Sequence, residues 1–125
     1  MPRLIYIAGP YRVRSNSLWN ILGLRTIRIA WNIHKARRLA KLIWRIGDYA
    51  ICPHSNTAFF DGICPDSQFL DGSLEMLRHC DMVVLTKDYM DSEGARAELR
   101  VALILGKPVY LEREGALTLF VMEGE

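Results

Sequence analysis

The sequence predicts an α/β fold in which a parallel β-sheet is covered by helices on both faces. Short apolar runs alternate with longer segments whose apolar residues recur every three or four positions, the spacing of an amphipathic helix. Glycine and proline stand at the boundaries between these segments. Such alternation favours a parallel sheet joined by right-handed crossovers. For four or five strands the common arrangement is a flavodoxin-like three-layer sandwich, with strand order 2-1-3-4-5.

The apolar runs and the helical spacings give the predicted elements. The run at 82–85 is apolar throughout, as in a central parallel strand, and the run at 3–8 stops at Gly9-Pro10. Strands are predicted at 3–8, 49–52, 82–85, 108–111 and 117–122. Helices are predicted at 25–46, ended by Gly47, at 69–78, and from Ser92 to Gly106. The stretch 54–68 is predicted to be a loop, long enough to be functional.

The length of 125 residues, half of them hydrophobic, predicts one domain over 1–125 with a substantial core. Cys52, Cys64 and Cys80 are odd in number and form no C-x-x-C pair, which fits a reducing cytoplasm. No apolar stretch is long enough to cross a membrane, and the first residues are typical of a strand rather than a signal peptide. We therefore expect a cytoplasmic protein with no membrane partner.

The net charge of +2 is unevenly distributed along the chain. Ten lysines and arginines precede Asp48 without a single acid, whereas all fourteen acids, Asp48 included, and six bases lie from there onward. A basic first third is typical of a surface for nucleic acid, an anionic membrane or phosphate, or simply of a solvated helix face. The predicted helix at 25–46 has few aromatic residues placed for stacking on bases, so nucleic acid is the least favoured partner.

Glu98 is the first candidate for chemistry. It shares a helix face with Ala95, Leu99 and Ala102, so a carboxylate interrupts an inward-facing apolar stripe. The small residues Gly94, Ala95 and Ala97 would let a ligand approach the start of this helix. The alternative is an edge position in which Glu98 pairs with Arg96 or Arg100.

Ser92 and Gly9-Pro10 follow two strands that are neighbours in the predicted order, so both are expected at the same edge of the sheet. Ser92 is a plausible N-cap, and the free amide groups of that turn could bind an anion such as phosphate. The alternatives are a cap without a ligand and a simple strand-ending turn. His54, Asn56 and Thr57 could bind a base edge, although a lone histidine is often structural. Asp61, Asp66 and Asp71 are further candidate acids. No metal ligand set, Walker loop, G-x-G-x-x-G or nucleophile elbow is present, so neither a metal nor another cofactor is predicted.

Four segments carry a family resemblance. They are Ile5-Tyr6-Ile7-Ala8-Gly9-Pro10-Tyr11, Cys52-Pro53-His54-Ser55-Asn56-Thr57, Cys80-Asp81, and Ser92-x-Gly94-Ala95-x-x-Glu98 with Ala102 and Gly106-Lys107-Pro108. Together they resemble the nucleoside 2-deoxyribosyltransferase superfamily, and most closely its small bacterial and phage branch, DUF4406. The resemblance covers about 3–110. Its most specific element is the Ser-x-Gly-x-x-x-Glu helix start combined with the glycine after the first strand.

The resemblance implies cleavage of an N-glycosidic bond in a nucleotide or nucleoside, with Glu98 attacking C1′ of the sugar. The serine at the position of Ser92 implies a 5′-monophosphate substrate, and Arg12 or Arg14 could add phosphate contacts. Gly9, Pro10, His54, Asn56, Ser73, Gly94 and Ala95 complete the predicted binding residues. The resemblance also implies homodimers or larger homo-oligomers, for which the apolar residues Leu18, Trp19, Ile21 and Leu22 are a candidate contact. Alternatively, this segment folds over its own sheet as a short helix.

One position departs from the family pattern. The aspartate expected eight residues before Asp81, which assists departure of the base, is Ser73 here. Serine cannot protonate a leaving base effectively. Asp71 could substitute, Tyr11 could orient the sugar, and a neighbouring subunit could supply the missing acid. The other possibility is a module that binds or senses a nucleotide-derived ligand without turning it over.

Overall fold

The sheet of the described residues has five strands. The computed structural model describes residues 1–11, 23–57, 60 and 62–120. The strands are β1 (Leu4–Ala8), β2 (Tyr49–Ile51), β3 (Met82–Leu85), β4 (Val109–Arg113) and β5 (Ala116–Leu119). Along the sheet the strands follow the order β2-β1-β3-β4-β5, so the predicted α/β sandwich and its strand order are confirmed.

Four helices of the described residues flank this sheet: α1 (Arg25–Arg45), α2 (Pro53–Asn56), α3 (Asp66–Arg78) and α4 (Glu93–Ile104). On one face, α1 packs its apolar stripe against alternate residues of β1 and β3. That core comprises Ile5, Ile7, Ala36, Leu39, Ile43, Met82 and Val84. On the other face lie α3 and α4. That core comprises Tyr6, Ala8, Leu77, Cys80, Val83, Leu85, Leu99, Ala102 and Val109.

Two aspartates hold the amino end of β1. Asp48 accepts hydrogen bonds from the Arg3 amide at 3.0 Å and from the Arg3 guanidinium at 2.9 Å. Asp81 accepts from the Leu4 amide at 2.7 Å. The Arg3 amide and guanidinium hold the pKa of Asp48 below its ordinary value, against the opposing effect of burial. These acids therefore fix the strands at the edge opposite to the predicted site.

The sheet is mixed rather than wholly parallel, because β5 runs antiparallel to β4. Arg113 pairs with Ala116, so only Glu114 and Gly115 connect the two strands. Both have positive φ, 51° and 81°, as a type I′ hairpin turn requires. A connection of two residues cannot make the crossover that a parallel pair needs.

The stretch predicted as a loop over 54–68 is partly helical. Pro53 begins the single turn of α2, because a proline is well suited to the first helical position. The helix α3 begins at Asp66, three residues before the predicted start. Its first turn is polar and exposed, so it lacks the apolar spacing that would have revealed it.

None of the helices in the described part of the chain combines the length and apolar character needed to cross a bilayer.

Candidate functional site

Glu98 lies on the buried face of α4 with only 6% of its surface exposed. Ala95 and Ala102, on the same face, are fully buried. The edge position considered from the sequence does not occur, since Glu98 makes no ion pair with Arg96 or Arg100. A buried carboxylate without a cationic partner among the described residues is costly, so a positioned functional group is the better explanation.

The start of α4 is formed as the sequence predicts. Ser92 is the N-cap, and its Oγ accepts a hydrogen bond from the Ala95 amide at 3.1 Å. A short 3₁₀ turn, Tyr89–Asp91, leads from β3 into this cap. Gly94 and Ala95 leave the backbone of the first turn open at these two positions. This turn orients Glu98, which projects from the following turn.

Tyr6 of β1 is the neighbour of Glu98 across the core. Its hydroxyl faces both the Glu98 carboxylate and Ser73 of α3, and burial together with the Glu98 charge raises the pKa of Tyr6 well above its ordinary value. The geometry falls short of an ordinary hydrogen bond: among the described residues, neither the Tyr6 hydroxyl nor Oε2 of Glu98 has a hydrogen-bond partner. Both atoms therefore retain hydrogen-bonding capacity inside the protein.

Burial raises the pKa of Glu98 to about 7, and the Tyr6 hydroxyl opposes this shift because a phenol favours the ionised carboxylate. At neutral pH the carboxylate is thus poised between its protonated and ionised forms. Groups with such shifted pKa values are typical of sites that perform acid, base or nucleophilic chemistry.

Ser73 and Asp71 differ in where α3 places them. Ser73 is half-buried and turned toward Tyr6. The fold therefore brings to the candidate site the residue at which this chain differs from the family pattern. Asp71 is exposed. The two residues are two positions apart, which is a rotation of roughly 200° around the helix, so their side chains lie on nearly opposite sides of α3.

Gly9 is required by a close contact between β1 and the end of β3. A Cβ added at Gly9 would lie 2.4 Å from Oγ1 of Thr86 and 2.8 Å from its Cγ2. Any side chain at this position would therefore require Thr86 or one of the two strand ends to move. Pro10 is buried, and the Tyr11 carbonyl oxygen accepts a hydrogen bond from Nδ2 of Asn32 at 3.3 Å.

The remaining predicted residues are less fully placed. His54 and Asn56 lie in α2, and Asn56 is exposed. Arg12, Arg14, Asp61 and the apolar segment 18–22 lie outside the described residues. Within the described ranges, no three His, Cys, Asp or Glu side chains are grouped so that they could hold a metal ion.

Sequence reasoning missed Tyr6, Thr86 and Asn32 as parts of this region. Tyr6 sits within an aliphatic run, where its apolar ring hides the signal of its hydroxyl. A tyrosine in the middle of a fully buried strand is nonetheless a usable signal, since buried hydroxyl groups need partners. Asn32 is a similar case, a lone amide on the apolar stripe of α1.

The comparisons with known proteins agree with this fold. The family model DUF4406, a domain of unknown function, matches residues 41–111, more than half of the chain. A search of curated proteins finds no match.

Two solved structures are similar in fold. One is a 2-deoxyribosyltransferase from Bacillus psychrosaccharolyticus, 21% identical, with a TM-score of 0.58 over 86% of this chain and 70% of that one. The other is a 2-deoxyribosyltransferase from Leishmania mexicana, 18% identical, with a TM-score of 0.54 over 97% of this chain and 80% of that one. At these identities the likeness establishes the fold.

Proposed function

The chain belongs to the DUF4406 family and has the fold of 2-deoxyribosyltransferases, and from this premise we propose that it cleaves the N-glycosidic bond of a nucleotide or nucleoside. Glu98 is the nucleophile. The observation that carries the proposal is its carboxylate, which is buried, faces the hydroxyl of Tyr6 and has no cationic partner in the part of the chain that the structure describes. The two solved structures lend support because their names describe deoxyribosyl transfer.

The reaction has two steps. The Glu98 carboxylate forms a bond to C1′ of the sugar while the bond from C1′ to the base nitrogen breaks. The base departs with the electron pair of that bond and takes up a proton. Water or the nitrogen of a second base then attacks C1′, loses a proton, and frees the carboxylate from its ester. Water as acceptor gives hydrolysis, and a second base gives transfer.

Tyr6 assists Glu98 in this scheme. Its hydroxyl favours the ionised carboxylate, which is the nucleophilic form. We expect the rate to rise with pH through the Glu98 pKa of about 7. Tyr6→Phe should move this rise to higher pH, because the lowering effect of the hydroxyl is lost.

A 5′-monophosphate is the favoured substrate. The Ser92 cap and the amide groups of the first turn of α4 offer donors to an anion, aided by the helix dipole. Gly94 leaves room for the phosphate to approach the backbone. Arg12 and Tyr11, in or next to the segment that follows β1, are proposed to contact the phosphate and to orient the sugar.

Ser73 determines how the leaving base can be protonated. Because Ser73 faces Tyr6 where the family pattern has an acid, the base must obtain its proton elsewhere. We propose Asp71, solvent or a neighbouring subunit as the source. Ser73→Asp should therefore accelerate release of bases that depart poorly as anions.

The test is release of free base, measured by chromatography, from a panel of deoxynucleoside 5′-monophosphates and the matching nucleosides. Wild-type protein should release base from at least one, and Glu98→Gln should lose activity on the order of a thousandfold or more. Glu93→Gln is the matched control, since Glu93 is an exposed glutamate of the same helix. No release from any substrate, or equal activity of wild type and Glu98→Gln, would contradict the proposal.

The second candidate function is a non-catalytic module that binds or senses a nucleotide-derived ligand. The half-buried Ser73 in place of an acid is the observation in its favour. It predicts that nucleotides raise the melting temperature without release of base, because binding to the native state increases its apparent stability.

A homodimer or larger homo-oligomer and a cytoplasmic location remain predictions. The segment 18–22 proposed for the subunit contact lies outside the described residues. Sedimentation of the wild type and of Leu18→Glu would test the assembly, which a substitution in the contact should dissociate.

A further inference from the structure

Three buried side-chain atoms of the described residues have no hydrogen-bond partner: the Tyr6 hydroxyl, Oε2 of Glu98 and Oδ1 of Asn32. The first two belong to the candidate site. Asn32 lies on α1, on the opposite face of the sheet, with 4% of its surface exposed. A leucine of similar size would avoid the cost of burying an amide there. The contacts of the Asn32 amide should therefore explain why an amide is buried there.

Asn32 holds the segment that leaves β1. Its Nδ2 donates to the Tyr11 carbonyl at 3.3 Å, across 21 residues of sequence. The two residues before Tyr11 can do little to hold this segment in place, because Gly9 has no side chain and Pro10 has no amide hydrogen. The Asn32 amide is thus a direct tie between α1 and the predicted site residue Tyr11.

Lys35 makes a second tie, one turn further along α1. Its ammonium group forms an ion pair with Asp88, which also accepts a hydrogen bond from Oγ1 of Thr86 at 2.7 Å. The Lys35 and Asp88 side chains are 25% and 15% exposed, so this pair is partly shielded from water. Burial works against the charge of Asp88, yet Lys35 and Thr86 hold its pKa below its ordinary value. Asp88 stands four residues before the Ser92 cap.

Both ties end on segments that flank the candidate site. The Tyr11 tie fixes the residues after β1, and the Asp88 tie fixes the residues after β3. The contact between Gly9 and Thr86 joins these two segments directly. The helix α1 is therefore bound to both segments, and the two segments also contact each other.

We propose that Asn32 and Lys35 are positioning residues, through which α1 holds Tyr11 and the Ser92 cap at a fixed separation on either side of the Glu98 carboxylate. This inference rests on the proposed function for its catalytic consequence. The positioning itself is a property of the protein without substrate. A ligand clamped between the two segments then meets groups that are already in place, which lowers the cost of binding.

The first test is hydrogen–deuterium exchange of the ligand-free protein. Asn32→Leu keeps the volume and removes the donor, so exchange in the segment 9–11 should rise by about tenfold, as expected for one lost hydrogen bond. Lys35→Met should raise exchange in 86–92, and Lys35→Arg should restore it. Ile29→Val is the matched control, because Ile29 lies on the same buried face of α1 and its side chain carries no hydrogen-bonding group.

The second test is activity on the substrate found in the base-release panel. Asn32→Leu should lower kcat/KM by about tenfold while its melting temperature stays equal to or above that of Ile29→Val. Unchanged exchange in 9–11, or a kcat/KM loss no larger than that of Ile29→Val, would overturn the inference. If no variant and no wild type releases base, the proposed function fails, and the exchange experiment still decides the positioning.

Discussion

At the scale of single residues, Glu98 is the group whose chemistry the fold changes most. A carboxylate at an exposed helix position is ionised at neutral pH, whereas burial raises the pKa of Glu98 to about 7. The folded protein therefore holds a proton on this group at pH values where the unfolded chain has released it. That difference links the candidate nucleophile to stability as well as to activity.

The sign of this linkage gives a prediction that needs no substrate. Between the ordinary glutamate pKa of about 4.3 and the folded value, the native state binds more protons, so its free energy of unfolding falls as pH rises. The full loss, roughly 4 kcal/mol, is reached above about pH 7. Glu98→Gln should remove it. Chemical unfolding of both proteins from pH 4 to pH 8 measures the difference.

The control for this experiment is again Glu93→Gln, whose carboxylate is exposed. It should show the same fall in stability toward pH 8 as the wild type, because Glu98 is intact. Tyr6→Phe should enlarge the loss and extend it to higher pH, because the hydroxyl that favours the ionised form is gone. Parallel curves for wild type and Glu98→Gln would mean that the Glu98 carboxylate is not desolvated in the folded protein.

At the scale of elements, the amphipathic spacing of 25–46 predicts α1 within one residue of its observed end. A long helix repeats its signal over several turns, so one ambiguous residue matters little. The direction of β5 could not be predicted in the same way. Its exposed residues carry no pattern, and its antiparallel pairing depends on positive φ at Glu114, an uncommon conformation for a non-glycine residue.

The start of α4 joins a structural role to a proposed binding role, and one substitution separates them. Ser92→Asp keeps an N-cap oxygen for the Ala95 amide, so the free energy of unfolding should change by less than about 0.5 kcal/mol. The added negative charge should nevertheless repel a substrate phosphate. We expect KM for 5′-monophosphates to rise about tenfold or more while KM for nucleosides is unchanged, as measured by base release.

Ser92→Ala is the companion variant. It should destabilise the protein by about 1 kcal/mol, because the first turn of α4 loses its cap. If Ser92→Asp raised KM equally for nucleosides and monophosphates, the serine would act through helix structure alone. An unchanged preference for monophosphates would place the phosphate elsewhere.

At the scale of the whole molecule, the candidate site shows why its parts escape a search for local motifs. Tyr6, Ser73 and Glu98 come from β1, α3 and α4 and meet only because β1 lies at the centre of the sheet. The sequence identifies Glu98, since a carboxylate breaks the stripe of its own helix. It does not identify Tyr6, because a tyrosine in an apolar strand fits a core equally well. Ser73 lies close to Tyr6 because β1, α3 and α4 pack together, and no residue spacing along the chain predicts that packing.

The uneven distribution of charge also becomes a surface property in the folded molecule. Four cations of α1, namely Arg37, Arg38, Lys41 and Arg45, are exposed and make no ion pair with any residue that the structure describes. Two tryptophans of the same helix are also half exposed, but Trp31 stacks on His34 and Trp44 packs against Tyr49. The rings are thus partly occupied by neighbours, which leaves the cations as the main attraction for a polyanion.

We therefore expect single-stranded DNA to bind α1 weakly, without sequence preference, and only at low salt. Four phosphate contacts imply that affinity falls about fiftyfold between 50 mM and 200 mM salt, because binding releases condensed counterions. Arg37→Gln, Arg38→Gln and Lys41→Gln combined should abolish the binding and leave base release unchanged. Fluorescence anisotropy of a labelled oligonucleotide measures the binding, and chromatography measures the base release. The matched control neutralises three exposed cations elsewhere, Lys87, Arg100 and Arg113, and should retain the affinity. Binding that persists at 200 mM salt, or that prefers one sequence, would instead indicate a nucleic-acid partner recognised by more than charge.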